Sequence, residues 1–69
     1  MAAEGRIRTP EEILEMALRR EQTSFQFYSR LVDQSAGVEI IRTLLDQLKD
    51  EELRHVRMIE KKLTHLRLG

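Results

Sequence analysis

Between Pro10 and the C-terminus, only Ser35-Ala36-Gly37 interrupts a helical hydrophobic pattern. In a chain of 69 residues that single break leaves room for two long helices and one turn. Gly37 suits the left-handed conformation that ends a helix. Thr9-Pro10-Glu11-Glu12 is a matching start signal. Thr9 can cap, Pro10 suits the first helical position, and Glu12 completes a capping box. The sequence therefore predicts an all-α chain: a flexible tail over residues 1–8, then an antiparallel two-helix hairpin over 9–69. Helix 1 is expected over about 10–34 and helix 2 over about 38–66. There is no strand signal and no repeat.

The apolar spacing within each helix contains a conflict. On helix 2, Ile41, Leu45, Leu48, Ile59 and Leu66 recur at intervals of three and four. Glu52 and His55 fall in the same stripe, where the pattern calls for leucine. On helix 1, Leu14, Ala17, Ser24, Tyr28 and Leu31 form a comparable stripe, widened by Leu18, Phe25 and Val32. Glu21 sits in its middle. An unpaired charge on a buried face costs several kcal/mol. A metal ion is one partner that would satisfy these groups together.

Their heights agree. Glu21 precedes the turn by about 22 Å of helix, at 1.5 Å per residue. Glu52 and His55 follow it by about 24 to 28 Å on the same rise. All three therefore belong to one level of the hairpin. Two helices cannot enclose both stripes, and a chain this short rarely supports a core alone. With no cysteine, disulfides cannot help. The expected solution is a homodimer in which two hairpins make a four-helix bundle. Two copies each of Glu21, Glu52 and His55 would then meet at mid-bundle.

Composition narrows the partners. Twelve basic residues balance twelve acidic ones, so no basic excess is available for nucleic acid. No stretch approaches 18 apolar residues, and the N-terminus carries no apolar signal core. The expectation is a soluble, cytoplasmic protein without a membrane partner.

The ligand pattern resembles that of the ferritin-like di-iron carboxylate proteins, in which two helices give one Glu each and two give Glu-x-x-His. The stretch from Ala17 to Tyr28 resembles the first helix of a rubrerythrin-type domain, and Leu48 to His55 its second. The resemblance covers about residues 12–63, one half of the usual four-helix domain. It implies metal ligation and catalysis by Glu21, Glu52 and His55, and a hydrogen bond from Tyr28 to a ligand carboxylate. It also implies two iron ions per dimer, with manganese or zinc as alternatives for this donor set. Four carboxylates would balance two ferrous ions in charge. The rubredoxin-like cysteine module of rubrerythrins is missing, so an external electron donor would be required for peroxide reduction. The family includes encapsulated ferritins, whose short chains also build di-iron sites between subunits. Ferroxidase or iron-handling activity comes first on this reading, and reduction of O2 or peroxide second.

Blander readings stand beside these. The polar trio could be a network that fixes pairing in a non-enzymatic helical dimerisation module. Tyr28 could be a core aromatic. Glu51 reads as a solvated neighbour, His65 as surface, and Arg19-Arg20 and Lys61-Lys62 as solvated faces. Met16, Phe27, Ile40 and Met58 lie just outside the stripes. They are either scattered surface residues or a second contact surface that enlarges the oligomer.

Overall fold

A computed structural model describes residues 7–69. It contains two helices packed against each other, α1 over Pro10–Gln34 and α2 over Glu39–Leu68. Most of the tail expected over residues 1–8 lies outside the described residues. No described helix is long and apolar enough to cross a membrane.

The start of α1 is built by its sequence. The Glu12 amide donates to Thr9 Oγ1 at 3.1 Å, and the Thr9 amide donates to Glu12 Oε1 at 2.9 Å. Two N–H groups that the helix cannot pair are satisfied reciprocally. At the other end Ser35 Oγ donates to the Leu31 carbonyl at 2.7 Å, and the Ser35 amide to that of Val32 at 3.1 Å. Gly37 turns the chain at φ +89°, a region that side chains disfavour. The α2 start has no side-chain cap. Its far end is held instead: Arg67 Nη2 donates to Glu15 Oε1 at 2.9 Å, and Arg67 Nε lies 3.6 Å from Glu11 Oε2. This clamp joins the end of α2 to the beginning of α1, so the helices are antiparallel.

The core is thin. Only Val32, Val56 and Leu63 are buried among the described residues. Counting about 100° per residue, Val56 and Leu63 lie on one side of Glu52, toward α1, while Leu48 and His55 lie on the other. The stripe expected to be buried is thus wider than one partner helix can cover. Ile41, placed on that stripe by its spacing, is 49% exposed, and Leu44 beside it is 55% exposed. Ile13 is half exposed on the equivalent side of α1. The molecule is 12 Å in its thinnest dimension, the thickness of a single layer of helices. One broad face of that layer carries uncovered apolar side chains, with the polar trio at its centre.

Candidate metal centre

Glu21 lies near the middle of α1, and Glu52 and His55 lie one turn apart near the middle of α2. Antiparallel packing brings the three to one level. One ligand atom from each can be chosen so that all lie within 4.8 Å of one another. Glu21 Oε2 is 3.5 Å from His55 Nδ1, a loose ion-pair distance rather than a tight hydrogen bond. The Glu21 side chain is 28% exposed and that of His55 is 50% exposed, so the group opens toward the uncovered face.

Glu52 is the strained member. Its Oε2 is buried and has no hydrogen-bond partner. Its pKa is raised from the ordinary value of 4.5. The first cause is a hydrogen bond with the Glu21 side chain, followed by desolvation and by the Glu21 charge. His55 acts weakly in the opposite sense. The chemistry is consistent: two ionised carboxylates can only accept, so neither can satisfy the other. One proton held between them removes the conflict. A cation in the same place removes it equally well.

The residues therefore fit a metal. Two carboxylates and an imidazole are donors for iron, manganese or zinc. Glu52 offers a buried oxygen with nothing else bound to it. One chain would supply three side-chain donors to such an ion.

Tyr28 follows Glu21 by two turns on the same face. Its ring meets Phe27 edge to face at 5.4 Å, and its hydroxyl makes no hydrogen bond among the described residues. Glu51 is exposed beside Glu52, and His65 is exposed ten residues beyond His55. Neither belongs to the group. The sequence reading did not find the Arg67 clamp. Part of the signal was available: Arg67 and the acidic first turns of α1 have opposite charge and lie at the same end of the hairpin.

A family model for rubrerythrin matches residues 12–69. The chain belongs to the rubrerythrin family. The matched span contains Glu21, Glu52 and His55 and runs through nearly all of both helices. Comparison with curated proteins gave no match, and neither did comparison with solved structures. This rubrerythrin-family chain thus presents one Glu and one Glu-x-x-His as a single cluster on two helices.

Proposed function

We propose that the chain is half of a di-metal carboxylate centre, which two chains complete as a four-helix bundle and which holds iron. The observation that carries this is the cluster of Glu21, Glu52 and His55 around a buried, unpartnered Glu52 oxygen. Family membership supports iron as the metal. The activity class that fits best is oxidation of ferrous iron, with O2 or peroxide as electron acceptor. Peroxide reduction with an external donor is the second form.

Iron bound there would supply the electrons that reduce the oxidant. The chain's own residues do the rest. Glu21 and Glu52 hold positive charge, and ionisation of both is favoured only when a cation lies between them. His55 adds a neutral donor, which limits the charge gathered at the site.

The test is metal analysis of protein purified without oxygen, followed by consumption of O2 or peroxide on adding ferrous iron. The expected result is about one iron per chain, since each contributes half a site, and oxidation that His55→Ala abolishes. Protein that dimerises yet binds no metal would instead be the non-enzymatic module, with Glu21 and Glu52 sharing a proton as its polar seam. An oligomer larger than the dimer is a further part of the proposal. Met16, Phe27, Ile40 and Met58 are 44 to 81% exposed along the two edges of the layer, outside the face that carries the cluster.

A further inference from the structure

Polar atoms continue along α1 beyond the ligand set. On the face that carries Glu21, the next two positions are Ser24 and Tyr28, with Leu14 and Ala17 before them and Leu31 after. Two hydroxyls thus follow the carboxylate at successive turns of a stripe that is otherwise apolar. Ser24 is half-buried and lies three residues beyond Glu21, about 4.5 Å along the axis.

Its hydroxyl behaves unlike those around it. A serine or threonine inside a helix can give its hydroxyl proton to the carbonyl four residues back. Thr23 does so to Arg19 at 2.9 Å, Ser29 to Phe25 at 2.9 Å, and Thr64 to Glu60 at 3.0 Å. Ser35 does the same at the end of α1. Ser24 bonds neither the Arg20 carbonyl nor any other group among the described residues. Thr43 shares this lack, but it is exposed, where solvent serves it. Ser24 therefore keeps a free donor in a half-buried position, one turn from the metal cluster.

Direction adds to position. Helical side chains lean toward the N-terminus, so Ser24 leans over the turn that carries Glu21. Counting about 100° per residue, it is rotated about 60° from Glu21, away from the buried Val32 and toward the uncovered face. It stands on the side of Glu21 that α2 does not cover. Glu21 turns one oxygen toward His55, and a carboxylate has room for further donors.

We propose that Ser24 is a positioning residue of the metal centre, its hydroxyl donating to the Glu21 carboxylate when a cation occupies the cluster. The inference rests on the metal reading above and adds a residue to it. In the metal-free chain Glu21 is engaged with Glu52 and His55, and Ser24 waits without an acceptor. A hydroxyl suits the task. It donates without adding charge, so it does not compete with the cation as a lysine or arginine would. Holding a ligand carboxylate in this way is worth about 10- to 100-fold in metal affinity.

A purely structural role would make Ser24 no more than a small residue on a closely packed face. Ser24→Ala separates the two, because it deletes the hydroxyl and keeps the size. Alanine is the better helix former, so the metal-free variant should melt no lower than the parent. Manganese binding to the full chain would be followed by calorimetry, and the surroundings of the bound ion by electron paramagnetic resonance. The expected result for Ser24→Ala is an affinity loss of about 10- to 100-fold and an altered resonance. Ser24→Thr, which keeps a hydroxyl, should stay close to the parent. Thr23→Ala, which removes a hydroxyl already bonded to the Arg19 carbonyl, should match it. Parental affinity and resonance in Ser24→Ala would overturn this assignment alone, as would an equal loss in Ser24→Thr. A parent chain that takes up no manganese would overturn the metal reading and the assignment with it.

Discussion

Glu52 is where folding and the site pull against each other. Its raised pKa means that the folded, metal-free chain holds this proton more tightly than the unfolded chain does. The sign follows: its contribution to stability is full below the ordinary value of 4.5 and is lost as pH rises through the higher folded value. The metal-free protein should therefore show a Glu52-dependent loss of melting temperature as pH rises above 4.5. Glu52→Gln should flatten that part of the profile, and at neutral pH its metal-free form should melt no lower than the parent. A cation competes for the same oxygens, so metal affinity should fall on acidification, and Glu52→Gln should lose at least about tenfold in affinity. Calorimetry with and without metal checks both; a variant that melts lower and still binds metal normally would contradict them. At Tyr28, Phe preserves the ring contact and deletes the hydroxyl. If that hydroxyl holds a ligand carboxylate in the assembled site, Tyr28→Phe should weaken metal binding by about 10- to 100-fold. The trio was legible because ionisable residues stand at apolar positions of a regular pattern. The orphaned Glu52 oxygen was not, since it depends on how closely Glu21 approaches across the hairpin.

At the scale of the helix, local chemistry fixes the ends and tertiary contact fixes the sides. Thr9→Ala removes the side chain that accepts from Glu12. The expected cost is about 1 kcal/mol, or about 4 to 8 °C in a domain of this size. Gly37→Ala meets no atom within 4 Å, so its cost is conformational alone. At φ +89° that should be about 1 to 2 kcal/mol. Thermal melts of both variants, with metal content unchanged, separate these effects from those at the site. Capping box, turn glycine and periodicity could all be read directly, because each depends on residues close in sequence. The core could not be read as directly. The apolar stripe of α2 has two sides, and spacing alone does not say which side α1 takes. Val56 and Leu63 went to the hairpin interior, while Ile41 and Leu44 stayed exposed. That division accompanies a hairpin closed at its far end by Glu11 and Glu15 of α1 reaching Arg67.

For the whole molecule the question is what makes a single layer of two helices stable. Only three side chains are buried among the described residues, and a chain of this length rarely supports a core without help. A lone hairpin with this core should be marginal, so folding should be coupled to association. Stability would then depend on protein concentration, each tenfold dilution costing about 1.4 kcal/mol per mole of dimer. Melting temperature should rise with concentration, and sedimentation should show loss of mass and of helicity together on dilution. Leu48→Asp tests the coupling from the other side, since Leu48 lies on the face away from the buried residues of the hairpin. It should leave α1 packing on α2 untouched in principle, yet abolish both the dimer and most of the helical signal at micromolar concentration. Metal should raise the melting temperature further, by mass action on the folded form, and that increment should vanish in His55→Ala. A concentration-independent melt of a monomer, unaffected by Leu48→Asp, would show that the hairpin stands alone and that its apolar face has another purpose.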